Sequence, residues 1–279
     1  MFEDFNFYKD MKKYLSKITL SKNNRWIWDL DPLKGCTLWM KHNKQWWCYW
    51  VCYAKNLAKF RWYDFDNAVR RYFINKRHLE TIWEQLKQIK FVRLWVNCDP
   101  SEDRDHTIDI VEKIKPYIEN IVIITKHWNI LTNAQLERLA WVHINTSISA
   151  IDTFKQIDQR LWQYERLKKK CNSILRVNTF NFIDEKFKNL QNDLLNNEKV
   201  INNIMRIPQS HPLVRANLVT VEKVKFLNSY TYASINDKTV FFWHCDDCKE
   251  QCWVDMVLDF KPVKQNNTWI NKQNETISS

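Results

Sequence analysis

Phe91-Val92-Arg93-Leu94-Trp95-Val96-Asn97, then Cys98-Asp99-Pro100, then Thr107 to Ile118, then Asn120-Ile121-Val122-Ile123-Ile124-Thr125: the fold turns on this stretch. The first run is short and mostly apolar, which predicts a buried strand. Thr107–Ile118 places Ile108, Val111, Ile114 and Ile118 on one face and predicts an amphipathic helix. The second apolar run predicts another buried strand. The unit then recurs. Asn133–Ala140 reads as a helix capped by Thr132 or Asn133, Val142–Ser147 as a strand, Asp158–Cys171 as a helix and Ser173–Phe180 as a strand. Alternation of this kind predicts parallel βαβ units. The expected fold class is α/β: a partial (β/α) barrel of parallel strands with a C-terminal cysteine-containing extension.

Outward from that core the pattern changes. Residues 1–30 read as an N-terminal extension with a short helix near Tyr8 to Ser16. Residues 31–182 hold the barrel, entered through helical patterns from Ala54, over Asp66–Lys76 and over His78–Ile89. Residues 183–260 hold a polar helix from about Glu185 to Met205, an antiparallel pair of Leu218–Phe226 with Thr239–Trp243, and a cysteine trio. Residues 261–279 form a polar tail, expected to be disordered.

Six of the eight cysteines fall in two groups, Cys36, Cys48 and Cys52, and Cys245, Cys248 and Cys252. Thiols grouped this way point to a metal or an iron–sulfur cluster. The sequence shows no apolar run long enough to cross a membrane and no signal-peptide pattern, so a cytoplasmic, membrane-free protein with reduced thiols is expected. The second trio lacks a fourth thiol. His244, Cys98 or Cys171 are candidates to complete it; an auxiliary iron–sulfur cluster and a structural zinc stand as equal readings, and a third is that all six cysteines converge on one site. His106, His127 and His143 are candidate proton donors near strand ends.

The net charge is +11, with local basic density at Arg61 to Arg77 and Arg166 to Lys170. Two readings stand: solvated helix faces, and a surface for a nucleic-acid substrate. Oligomeric state is not legible. The chain has one glycine and 15 tryptophans, where typical glycine usage is about 7%. Several tryptophans occupy turn-like positions, among them Trp46, Trp47, Trp50, Trp128 and Trp253. One reading is that UGA codons, glycine in the source lineage, are rendered here as tryptophan. The other is a truly tryptophan-rich protein that stacks on bases or sugars. UGG at most of these codons would dismiss the first.

Gly35-Cys36, Cys52-Tyr53-Ala54 leading into a helix, Asn97-Cys98-Asp99-Pro100 at a strand end, Thr125-Lys126 at the next, Asn145-Thr146-Ser147-Ile148-Ser149 at the one after, and Arg176 within Ile174-Leu175-Arg176-Val177 occur in that order. In this order they resemble the radical S-adenosylmethionine superfamily, most of all its spore-photoproduct-lyase-like and phage-type small members, over about residues 31–182. The spacing Cys36-x11-Cys48-x3-Cys52 departs from that family's Cys-x3-Cys-x2-Cys. The resemblance implies a [4Fe–4S] cluster on Cys36, Cys48 and Cys52 and the small-molecule cofactor S-adenosylmethionine on its open iron. It implies that the turn Asn97–Asp99 meets the methionine amine, Ser147 or Ser149 the ribose, and Arg176 the carboxylate. The runner-up is a non-catalytic, zinc- or cluster-stabilised nucleic-acid-binding module.

Overall fold

The structure is a computed structural model that describes residues 16–22, 27–38, 52–94, 98–171, 173–179, 182, 184–201, 203–209, 225–226, 232–235 and 238–244. The expected N-terminal helix up to residue 15, Cys48, Asn97, the trio Cys245, Cys248 and Cys252, and the tail lie outside the described residues.

Its centre is a ten-stranded sheet. Strands β2 (Leu20–Lys22), β3 (Trp28–Leu30), β6 (Phe91–Leu94), β7 (Asn120–Thr125), β8 (His143–Ser149), β9 (Ser173–Asn178), β10 (Ile204–Gln209), β11 (Lys225–Phe226), β12 (Tyr232–Ile235) and β13 (Lys238–His244) compose it. The strands β3, β6, β7, β8, β9, β10 and β13 all run parallel. Their spatial order follows their order in sequence. A doubly wound sheet would reverse order at a switch point; these strands do not. Antiparallel β2 and the β12–β11 pair end the sheet on its two sides, and the ladder among the described residues does not close. A second, three-stranded sheet joins β1 (Ser16–Lys17), β5 (Val69–Tyr72) and β4 (Leu33–Lys34).

The helices are α1 (Tyr53–Phe60), α2 (Lys76–Leu86), α3 (Arg104–Ile114), α4 (Asn133–Arg138), α5 (Phe154–Lys168), α6 (Glu185–Asn196) and α7 (Glu198–Ile201). Thr132 and Thr153 open α4 and α5 with complete capping boxes, each satisfying two end donors reciprocally. Asp103 caps α3, and Pro116 turns its end into a 3-10 turn over Lys115–Tyr117.

Strand alternation separates two sheet faces. Leu30, Val92, Leu94, Ile121, Ile123 and Ile144 pack with Ile82 and Leu86 of α2, Ile108, Val111 and Ile114 of α3, and Leu136 of α4. Ile148, Leu175 and Val177 pack with Ile157 and Tyr164 of α5 and Leu194 and Leu195 of α6. These helices therefore cover one and the same face. The other face carries Asp29, Arg93, Asn145, Ser147, Ser149 and Arg176, all buried.

Four sequence expectations need correction. Asp66–Lys76, read as helical, holds strand β5. Its backbone finds partners instead in β1 and β4, with Arg71 N donating to Pro32 O at 2.7 Å and Ile18 N to Tyr72 O at 3.0 Å; tertiary pairing overrides the local pattern. The helix read to Met205 ends at Asn196. Asn197 has extended backbone, its side chain caps the next turn through Lys199 N at 3.0 Å, and Pro208 lies in strand β10. Phe226 does not pair with Thr239–Trp243, because β12 lies between them. Residues 16–30, read as extension, contribute β1, β2 and β3, the last of which pairs with β6.

Candidate functional site

Parallel strands place all their carboxyl ends on one edge, and there the loops gather. Gly35 begins the gathering. Its φ of +85° lies in the left-handed region, and a Cβ there would stand 2.2 Å from Asn67 O. Only glycine fits such a backbone against backbone. The next residue, Cys36, donates its N–H to Phe65 O at 2.7 Å. Cys36 and Cys52 both pack against a small cluster of Ala54, Ala58 and Phe65. Cys52 stands at the N-cap of α1. Cys36 and Cys52 thus share one small cluster; Cys48 is outside the described residues.

From the sheet side comes Cys98, four residues beyond the last residue of β6. Its thiol donates to Asp99 O at 3.4 Å and lies within 4.8 Å of the Cys36 thiol. Glu102 joins them: one sulfur each from Cys36 and Cys98 and one Glu102 carboxylate oxygen all lie within 4.8 Å of one another. Thr37 orients Glu102, its N–H donating to Oε2 at 2.8 Å and its hydroxyl to Oε1 at 2.6 Å. Burial pushes the Cys52 thiol up to about 11, helped by nearby Cys36, while the amides of Lys55 and Ala54 and the Lys126 charge act the other way. Burial also raises Cys98 well above the ordinary thiol range, reinforced by the neighbouring Cys36 thiol.

Asp99 builds the turn that carries Cys98 and Glu102. Its Oδ1 accepts from Ser101 N (2.8 Å), Ser101 Oγ (2.6 Å) and Thr125 Oγ1 (2.7 Å), and its Oδ2 from Lys126 N (2.7 Å). The carboxylate expected at a ligand amine is committed to locking β6's exit onto the end of β7.

Lys126 lies next on the edge. Its Nζ donates to Ser149 Oγ at 2.9 Å and to Asp152 Oδ1 at 2.9 Å. Asp152 also accepts from Ser149 N at 2.8 Å and pairs with buried Arg160. Burial alone would raise the Asp152 carboxyl; the Arg160 and Lys126 charges outweigh it and bring it to about 2. Ser149 is thereby bound into this network. Ser147 and Arg176 are register partners on the polar face. The Ser147 hydroxyl is buried with no hydrogen-bond partner among the described residues.

The histidines divide. His127, at φ +50°, is buried beside the edge. Arg104 Nη2 is 2.9 Å from its Nδ1, so Nδ1 accepts and Nε2 donates to Thr146 Oγ1, 2.9 Å away. Burial and then the Arg104 charge hold it well below the ordinary histidine range. His106 bonds the carbonyls of Pro32 and Arg71 from α3. His143 opens β8, which puts it at the amino edge, opposite the cysteines; its expected place near the site is corrected. Cys171 is buried and bonded to Leu139 O, a core thiol.

Sequence reasoning found Cys36, Cys52, Lys126 and Ser147 but not the joining of Cys98 to Cys36, nor Glu102 and Thr37. Cys98-Asp99-Pro100 was a visible signal; its partner, distant in sequence, was not. No helix among the described residues is long and apolar enough to cross a membrane. No family model, curated protein or solved structure matches the chain.

Proposed function

We propose that the chain is an iron–sulfur enzyme of the radical S-adenosylmethionine type, built on an open, partial (β/α) barrel. The observation that carries this reading is the meeting of Cys36 and Cys52 at the carboxyl edge of a singly wound parallel sheet, within electrostatic reach of Lys126. The donor set fits: soft, half-buried sulfurs that flank the sequence position of Cys48. On this reading Cys36, Cys48 and Cys52 hold a [4Fe–4S] cluster, and Cys245, Cys248 and Cys252 hold a second cluster or a zinc ion. When bound, the first cluster supplies the electron that reductively cleaves the sulfonium of S-adenosylmethionine to a carbon radical.

The chain's own residues orient and shield. Asp99 fixes the strand-end turn through its four bonds, and Asn97 precedes it. Ser147 offers a buried hydroxyl to a ribose, and Arg176 on the neighbouring strand offers its guanidinium to a carboxylate. Ser149 acts through Lys126 and Asp152, holding the edge together rather than meeting ligand. The setting is cytoplasmic, where thiols stay reduced, and the basic surface favours a polyanionic substrate.

Anaerobic reconstitution with iron and sulfide tests the reading. The expected product is brown, with about four irons per chain at the first site, and cleaves S-adenosylmethionine under a reductant. Cys52→Ala is expected to lose that iron. A colourless protein that takes up only zinc would replace this reading with the non-catalytic nucleic-acid module.

A further inference from the structure

We propose that Cys36, Cys98 and Glu102 form a mononuclear site for a borderline divalent cation, zinc or iron(II), with its fourth position open. The residues come from three places: the loop after β4, the exit of β6, and the 3-10 turn Pro100–Glu102. The proposal shares Cys36 with the cluster reading and rests on that cysteine being a metal ligand, but it does not need the cluster.

The spacing argues for one ion. A metal–sulfur bond of about 2.3 Å in a tetrahedron sets two sulfurs about 3.8 Å apart. The Cys36 and Cys98 sulfurs and a Glu102 oxygen all lie within 4.8 Å of one another, a spread that one ion can draw together. A cube places each thiolate on a separate iron, so its thiolate sulfurs stand further apart than on one ion. Cys52 is close to Cys36 but is not in this tight set. Two sulfurs and one oxygen leave one position of the tetrahedron for water or substrate, which is how catalytic rather than structural zinc is held.

The surroundings are built as ligand surroundings are. A ligating carboxylate is usually oriented by hydrogen bonds from behind. Thr37 supplies two, one to each Glu102 oxygen, and each oxygen retains a lone pair. Asp99 caps the turn that carries Glu102 and ties it to Thr125 and Lys126. Gly35, with its forced backbone, fixes the Cys36 side.

Cobalt(II) titration of the full chain carrying Cys245→Ser, Cys248→Ser and Cys252→Ser, so that the second thiol trio takes up no metal, tests the assignment after reduction and metal stripping. One equivalent is expected to give the intense visible bands of a tetrahedral thiolate site, removed by one equivalent of zinc. Cys98→Ser and Glu102→Gln should each weaken cobalt binding by at least about tenfold, and Thr37→Val by about tenfold through lost orientation. Cys52→Ser should leave the cobalt bands intact. Thermal unfolding of the metal-free variants checks that each is folded. Iron–sulfur reconstitution of the same variants separates the two readings. Cys52→Ser is expected to lose the cluster and keep cobalt, and Cys98→Ser to lose cobalt and keep the cluster. Tetrahedral bands that are absent from the parent chain, that persist undiminished in both Cys98→Ser and Glu102→Gln, or that vanish in Cys52→Ser overturn the mononuclear site. Failure of the parent chain to take up a cluster while cobalt binds as described overturns only the cluster reading.

Discussion

Trp62 occupies a position made for glycine. Helix α1 closes with Trp62 N donating to Lys59 O at 3.4 Å and Tyr63 N to Ala58 O at 3.1 Å. That is the paired pattern of a Schellman turn, whose left-handed residue is usually glycine. Trp62 has φ +54° and is 95% exposed, so it bears the strain without packing in return. Trp62→Gly is expected to raise stability by about 1 kcal/mol in urea unfolding, with an unchanged denaturant slope; a loss of stability would mean the indole packs after all. The same position carries the codon question: UGA is expected at codon 62, and UGG there would leave the strain without that explanation. Gly35 is the opposite case, a glycine kept where nothing else fits. Gly35→Ala must move Asn67 or Phe65 backbone and is expected to cost about 2–3 kcal/mol, with cobalt binding at Cys36 weakened in parallel.

Elements differ in how far the sequence betrays them. Strands β6, β7, β8 and β9 were legible because a buried parallel strand is a short apolar run between turn signals. Strand β5 was not: Val69-Arg70-Arg71-Tyr72 has no strand periodicity, and only its neighbours β1 and β4 make it one. The polar face was half legible, since His143-Ile144-Asn145-Thr146-Ser147-Ile148-Ser149 alternates polar and apolar in plain sight. The joining of Cys98 to Cys36 was not legible, because it depends on a loop returning across the sheet edge. The Asp99 turn is the element that makes this join, and it invites a test. All four of its bonds come from donors, so Asp99→Asn must point an amide N–H at one of them. A buried clash of donors costs about 1–3 kcal/mol. The variant is expected to lose stability in that range and to bind cobalt more weakly than Asp99→Glu. Unaltered unfolding would show that the turn is held by other contacts.

At the scale of the molecule, the carboxyl edge is tied together by buried charge, and this sets its response to acid. Asp152 joins Lys126 from β7's exit to Arg160 on α5, so two successive β–α units meet on one carboxylate. Its folded value of about 2 lies below the ordinary 3.8. A depressed carboxyl contributes stability that is full above 3.8 and is lost as pH falls through 2, amounting to about 2 kcal/mol. Asp152→Asn leaves two buried cations facing a neutral amide and is expected to cost about 3–5 kcal/mol at neutral pH. His127 acts earlier. Its folded value is held well below 6.5 by burial and by Arg104, so below pH 6.5 the unfolded chain takes a proton that the folded chain refuses. Stability therefore falls as pH drops below 6.5, where the unfolded chain binds this proton and the folded chain does not. His127→Asn keeps a side chain that tolerates positive φ and carries no titrating group. It is expected to lower stability at pH 7.5 but to flatten the profile between pH 6.5 and 5. Unfolding by urea across that range decides the matter: a parent chain with a flat profile, or a His127→Asn variant with an unchanged slope, would mean that His127 is protonated inside the fold and that Arg104 does not hold it neutral.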